Sequence, residues 1–325
     1  MLSKPEFEAI VALANLAPSI HNAQPARWRL VGDRIEIGAD RSIILPQADP
    51  TGRHIGLSCG AALEATVLAL SKHGVGGTVT DLWDDDDWHS WSGHRMVARI
   101  ELAKNATTDP TFLQLDQRFT WRGAFSDEPL GLYGWSRPDT AMVMDAPMRR
   151  WVADLNDAAS LGILRRKAFR RELLSWMRLT PSDARYRYDG LSRDALRMDS
   201  RIARKVRLGF GVLWPLLNAL GKTSAMTAEA DLTRTAPLIA CFHRPKDESA
   251  VQTGRAYLRL CLEATQLGLA GWPMAALTDD DTARDMISQQ LAIGPERALI
   301  QVLRFGVPTG AAPPRARRPL AELIG

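Results

Sequence analysis

In QRFTWRGAFSDEPL, Arg118, Thr120 and Arg122 alternate ahead of Phe125. Two guanidinium forks and a hydroxyl at a period of two suit the oxygens of a phosphate monoester, because each fork can donate parallel charge-assisted bonds. A solvated basic strand end would show the same pattern. Arg315, Arg317 and Arg318 form a second basic group in PPRARRPLAEL, a proline-rich segment too stiff for a random tail. Near the start, LAPSIHNAQPARW (residues 16–28) crowds Pro, Ser, His, Asn and Gln together ahead of a strand-like run, as a ligand loop does. His21, with an ordinary pKa of about 6.5, is a candidate proton donor there. The alternative is a loop histidine that hydrogen-bonds or faces solvent.

No residue group suggests a metal site. Cys59, Cys241 and Cys261 lie far apart in apolar stretches, without paired spacing or a nearby His pair, and read as buried free thiols. The acidic run in DDDDWHSWSGH sits between two strand-like segments and reads as a solvated turn.

These residues need elements to hold them. Phe7, Ile10, Val11, Leu13 and Ala14 recur at helical spacing over residues 5–16, and Pro18 ends that helix. RWRLVGDRIEIGAD alternates about a Gly-Asp turn and predicts a hairpin. A second helix follows from about Ser58 to His73, then two strands, GTVTDLW and RMVARIEL. Leu196, Ala203, Val206, Phe210, Leu213 and Leu217 predict one helical face across 195–217, with Arg197, Arg201, Arg204 and Lys205 between them.

The chain has 325 residues, 46% of them hydrophobic, enough for one large or two ordinary folded domains. Its net charge of +4 is unevenly spread: residues 164–208 hold 14 Lys or Arg against 5 Asp or Glu, an excess of +9 that leaves −5 elsewhere. That segment reads as a packed amphipathic helix, a lid over a site, or a basic helix on an anionic membrane. Nucleic acid is not an expected partner, since no recognised domain accompanies the charge. The uncharged run at 208–221 has 14 residues, short of the ~20 that cross a bilayer. The amino-terminal stretch lacks the basic flank of a secretion signal, so the reading expects a cytoplasmic protein.

The chain also resembles itself. GAALEATVLALSKHGVGG, from Gly60, is similar to GRAYLRLCLEATQLGLAG, from Gly254, and LEAT occurs at 63–66 and 262–265, an offset of 199 (262 − 63). Two related halves, or a chance tetrapeptide, would account for this.

Together, APSIHNAQP, ADRSIILPQADPTGRHIGLSCGAAL, LGLAGWPMAAL (residues 267–277) and RRPLAEL resemble the FMN-dependent nitroreductase family, and more narrowly its Acg-like branch, in which two family repeats are fused. The resemblance covers nearly the whole chain except the basic segment. It implies an α+β fold, a three-layer α-β-α arrangement with a mixed, mainly antiparallel sheet, as a tandem pseudo-dimer of two repeats. These would be residues 1–110 and 111–325, the second carrying a basic helical lid insertion at 165–222. In that family FMN binds where two subunits meet. By this resemblance Arg118, Thr120, Arg122, Arg315 and Arg317 hold the FMN phosphate. Pro18, Ser19, Ile20 and Asn22 border the isoalloxazine ring, while Pro273, Met274, Ala275 and Ala276 present backbone groups towards its N5. Phe210 and Trp214 of the lid would lie near the ring.

Only one complete residue set is found, since the second half offers Thr180-Pro181-Ser182 without a following Asn-x-Gln-Pro. One FMN per chain, a vestigial second site and a monomeric pseudo-dimer are therefore expected. Two departures from the family pattern stand out: Ala26 follows Gln-Pro where Trp is usual, with Trp28 two residues later, which would enlarge or reshape the pocket floor, and Ala275-Ala276 replaces Glu-Gly. The implied activity is transfer of hydride from NAD(P)H through flavin N5 to a small electron-poor acceptor. The alternative is an FMN-binding protein that sequesters flavin beneath a closed lid with little turnover.

Overall fold

The computed structural model describes residues 2–85, 91–128, 130–131 and 135–325. Much of the acidic run, 86–90, lies outside the described residues. Helix α1 (Lys4–Ala14) starts on a reciprocal cap: Ser3 Oγ accepts from the Glu6 amide and the Glu6 carboxylate accepts from the Ser3 amide. Those bonds hold the Glu6 carboxyl below its usual pKa. Strands β1 (Ala26–Val31) and β2 (Arg34–Asp40) form the predicted hairpin, its turn requiring Gly32 at φ 63°. Helix α2 (Arg53–Lys72) begins five residues before the sequence suggested, and β3 (Val75–Asp81) and β4 (His94–Lys104) follow. This first sheet is antiparallel, in the order β1-β2-β4-β3.

After a short helix α3 (Leu113–Gln117) come β5 (Thr140–Val143), α4 (Ala146–Arg165), α5 (Lys167–Trp176), a two-residue parallel pair β6 (Met177–Arg178) and β7 (Leu191–Ser192), then α6 (Ser200–Phe210), α7 (Trp214–Ala219) and α8 (Ala230–Arg234). The predicted single helix over 195–217 is thus corrected to two helices. The apolar period runs on through Gly211, but the backbone turns there, and Leu196 belongs to a preceding turn in which Arg197 adopts φ 53°. The chain closes with β8 (Leu238–Pro245), α9 (Ala250–Gln266), β9 (Ala270–Pro273), α10 (Ala276–Asp279), α11 (Asp281–Gln290) and β10 (Arg297–Gly306). The second sheet, β5-β8-β10-β9, is antiparallel and repeats the first in order; its first two strands are separated by α4–α8 where β1 and β2 are joined by a turn, and in both a long helix and two further strands follow.

The second sheet has the expected helix–sheet–helix layering, which its alternation dictates. Ile239 and Cys241 face one core with Val152, Ala159 and Ile287, whereas Leu238, Ala240 and Phe242 face another with Leu260 and Ala264. The first sheet packs Trp28, Ile35 and Ile37 on α1 and α2, joined by Val251 and Leu258 of α9 and by Leu323. Its other face carries the buried Glu36 carboxylate, paired with Arg29, Arg34 and Arg99. Parallel additions make the sheets mixed: Ile324 bridges Trp28, and Thr120 bridges Gly271.

Helices α2 and α9 are the shared centre. Helix α2 is long and apolar enough to span a bilayer, yet 83% of its most apolar stretch is buried inside the molecule. A Cβ at Gly60 would lie 2.1 Å from the Val251 carbonyl oxygen, and one at Gly254 would lie 2.1 Å from that of Leu57. The contact is reciprocal, and the two glycines at it stand 194 positions apart (254 − 60). The two LEAT copies, 199 positions apart (262 − 63), do different work. Glu64 holds Arg255 and Arg259 at 2.7 and 2.6 Å, whereas Glu263 pairs with Arg137 and Trp135. Gly60→Ala and Gly254→Ala should each cost about 3 kcal/mol by overpacking, read as a lower urea midpoint at unchanged slope. Parent-like stability in either variant would show that the helices separate freely.

Candidate functional site

A cavity of about 400 Å³ lies against the α2–α9 pair, within the range of small-molecule pockets. The opening loop supplies Pro18 to Asn22, the segment after α3 supplies Arg118 to Arg122, β9 and its exit supply Trp272, Pro273 and Ala275, and the tail supplies Arg315 and Arg317. Most of the residues singled out in the sequence thus meet in one place, from stretches about 300 positions apart. Met274 and Ala276 do not reach the cavity. The Met274 side chain is in the second core and its amide donates to the Val302 carbonyl at 2.7 Å; Ala276 packs against the neighbouring apolar clusters. Trp28 is no pocket floor. It is fully buried in the first core, with Nε1 donating to Thr66 Oγ1 at 2.9 Å.

The opening loop is strained and braced. His21, Asn22 and Gln24 adopt φ 46°, 56° and 53°, a region non-glycine residues rarely occupy. Gln24 donates from its amide to Ser19 Oγ at 3.0 Å and from Nε2 to the Tyr188 carbonyl at 2.9 Å. Asn22 Nδ2 donates to the Gly190 and Ala316 carbonyls, and Asn22 Oδ1 accepts from Arg317 at 2.7 Å. The loop's amide side chains therefore serve chiefly to fix its neighbours. Asn22 still lines the cavity, with Pro18, Ser19, Ile20 and His21.

One neighbour is a strap of residues 177–195, which places Gly190, Leu191, Ser192 and Ala195 in the wall. Asp189, with no exposed side-chain area, fastens it by accepting from Arg178 at 2.7 Å, Arg318 at 3.2 Å and Arg185. Phe210 and Trp214 are not in the wall. They are buried with Ile163, Leu164 and Phe169 behind it, and Arg170 stacks 4.1 Å over the Trp214 ring. The part of the basic segment that covers the cavity is the strap, not the amphipathic helices.

The charge is divided. Arg118, Arg315 and Arg317 form one group, in which Asp116 on Arg315 is the carboxylate partner found among the described residues. Burial pulls Arg317 down to about 9, helped by repulsion from Arg118 and Arg315, and burial likewise lowers Arg118. Both have a buried Nε without a partner. Arg122 stands apart, donating to the Ala195 carbonyl at 3.1 Å; burial lowers it to about 10 against the attraction of Glu229. Beneath Trp272, the buried Arg304 guanidinium lies 3.3 Å from the ring centre and pairs with Glu229 at 3.5 Å.

No sequence pattern signals the His54–Asp279 pair, which also lines the cavity. His54 Nε2 lies 3.5 Å from Asp279 Oδ1. Burial opposes the charged imidazole, but the Asp279 hydrogen bond and charge outweigh it and raise the His54 pKa. Residues 225 positions apart (279 − 54) leave no local pattern to find. His21 goes the other way. Burial lowers it to about 4, and its Nε2 has no partner, so it is neutral near pH 7 and not an imidazolium donor.

The fold and cavity define a class: an α+β protein with two like sheets on one helix pair and a single-chain, arginine-lined cavity drawing on both halves. No family model matches the chain. Over its full length it is 25% identical to the Mycobacterium tuberculosis protein named "Putative NAD(P)H nitroreductase acg", covering 96% of that protein. A 78-residue stretch, 24% of this chain, is 41% identical to the M. tuberculosis protein Rv3131, which carries the same kind of name; it spans 23% of that relative. The chain is thus a full-length relative of a protein named as a nitroreductase. Among solved structures, the FMN- and NADPH-dependent nitroreductase NfnB of Sphigopyxis sp. strain HMH aligns at TM-score 0.35 and 17% identity over 67% of this chain and 98% of that one. NfnB of Mycobacterium smegmatis, solved with NADPH, aligns at 0.32 and 18% over 60% and 86%. At such overlap neither superposition bears on the site.

The histidines give a pH prediction. A depressed His21 pKa means that the unfolded chain binds a proton between pH 6.5 and 4 that the folded chain refuses, so stability is complete above 6.5 and falls towards 4 by up to about 3 kcal/mol. His21→Asn, which tolerates the left-handed backbone, should flatten that part of the urea-midpoint profile. His54 has the opposite sign: its contribution is complete below its unfolded pKa and is lost as pH rises through the raised folded value. An unchanged acid slope in His21→Asn would reject the assignment.

Proposed function

We propose that the chain is an FMN-dependent oxidoreductase of the nitroreductase type, taking hydride from NAD(P)H and passing it to a small electron-poor acceptor. The observation that carries this reading is the group of Arg118, Arg315 and Arg317, with two orphaned buried Nε atoms beside a cavity they share with apolar walls. Crowded guanidinium groups are stabilised by a dianion, and a phosphate monoester meets that need. The residues fit FMN. Arg118, Thr120, Arg315 and Arg317 would hold its phosphate; Pro18, Ser19, Ile20, Trp272, Pro273 and Ala275 would border its ring; Arg122 would face the ring's polar edge; and Asn22 would brace the loop. FMN supplies the two-electron carrier. The chain's residues bind and orient it, and the strap excludes water.

The name of the full-length relative supports the same class of activity. So does the like topology of the two sheets, which fits repeats at 1–110 and 111–325 with 165–222 inserted. One cavity built from both halves suits one FMN in a monomer. The second reading, flavin sequestration, is favoured by one observation, the fastening of the strap through the buried Asp189.

Purified protein should be yellow, with about one FMN per chain, and should bleach within seconds of anaerobic NADPH or NADH addition. Flavin that stays oxidised would favour sequestration. A colourless protein that takes up no added FMN would refute both readings. Arg118→Ala with Arg317→Ala removes two charge-assisted contacts worth ~1.5–3 kcal/mol each. FMN affinity, measured by fluorescence quenching, should fall at least a hundredfold, and unchanged affinity would overturn the phosphate assignment.

A further inference from the structure

We propose that the α6–α7 hairpin is a docking surface for an anionic lipid bilayer. Six of the twelve large exposed hydrophobic side chains among the described residues fall in this one hairpin: Ile202, Leu208, Val212, Leu213, Leu216 and Leu220, with Val212 80% exposed at the elbow. Residues 200–228 contain no Asp or Glu but five cations, Arg201, Arg204, Lys205, Arg207 and Lys222. All five are exposed, and none forms a salt bridge among the described residues. Apolar tips flanked by unpaired cations are the pattern of a helix lying in a membrane interface.

The hairpin is rooted firmly enough to present that face. Phe210 and Trp214 are buried edge to face at 6.2 Å, and Arg170 stacks on Trp214. Met226 packs so closely on Gly209 that a Cβ there would meet its Cε at 2.2 Å. The root also packs on Ala48, which lines the cavity, so docking would set the cavity close to the lipid surface.

Charge selects the occupant. A second copy offering the same face would bring cations against cations, and nucleic acid has no use for bare Val212, Leu213 and Leu216. An anionic leaflet answers both properties, each nearby cation contributing about fivefold to binding. The full chain should float with phosphatidylcholine vesicles containing phosphatidylglycerol, not with pure phosphatidylcholine, and salt should weaken the association. Arg204→Gln, Lys205→Gln and Arg207→Gln together should weaken binding roughly a hundredfold. Val212→Glu with Leu216→Glu should abolish it while leaving thermal unfolding unchanged, since both side chains are exposed. Lack of flotation by the parent chain at any lipid concentration, or equal binding to neutral vesicles, overturns the proposal. So does self-association in sedimentation that Val212→Glu with Leu216→Glu removes while the parent ignores vesicles, which would assign the face to a second copy.

Discussion

Helices α2 and α9 touch backbone to backbone because Gly60 and Gly254 offer no side chain at the crossing. Everything that makes this chain one body follows from that approach. Each helix belongs by sequence to one sheet, yet at this separation α9 also gives Val251 and Leu258 to the core of the first sheet. The buried Glu64 carboxylate, costly alone in an apolar interior, is satisfied across the crossing by Arg255 and Arg259. The helix pair thus acts as a shared wall whose two ends are not equivalent.

At one end the wall borders the cavity. The start of α2 contributes His54, Leu57 and Ser58, and α9 contributes Tyr257, Cys261 and Thr265. At the start of α9, by contrast, Ser249 and Gln252 bond to Asp81, and Trp83 packs beside Gly56. The two ends of the helix pair thus differ in what they border: a cavity at one, and packed side chains of the first sheet's segment at the other. The strand order is shared, but the segment between β5 and β8, absent between β1 and β2, supplies Gly190, Leu191, Ser192 and Ala195 to the cavity wall.

Local chemistry is readable in the sequence where a single element decides it. The cap at Ser3, the turn at Gly32 and the alternation of β1 and β2 around it each follow from neighbours a few positions away. The convergence of Arg118, Arg315 and Arg317 is readable only through resemblance, because nothing local links a segment after α3 to the tail. The break at Gly211 is hidden because apolar periodicity survives a turn that happens to preserve phase. LEAT shows that a shared string need not share a role: Glu64 pairs with Arg255 and Arg259, whereas Glu263 pairs with Arg137 and Trp135. His54 and Asp279 leave no signal, since neither has a patterned neighbour and their pairing is purely tertiary.

Asn22 bonds to the strap through Gly190 and to the tail through Ala316 and Arg317, while its own backbone and those of His21 and Gln24 are held left-handed. Such a residue works as a latch with two bolts. Gln24 adds a second tie of the same kind, donating to the Tyr188 carbonyl of the strap and accepting from the Arg318 amide of the tail. The loop, the strap and the tail at the cavity are accordingly joined through Asn22 and Gln24, so none of the three is positioned independently of the others.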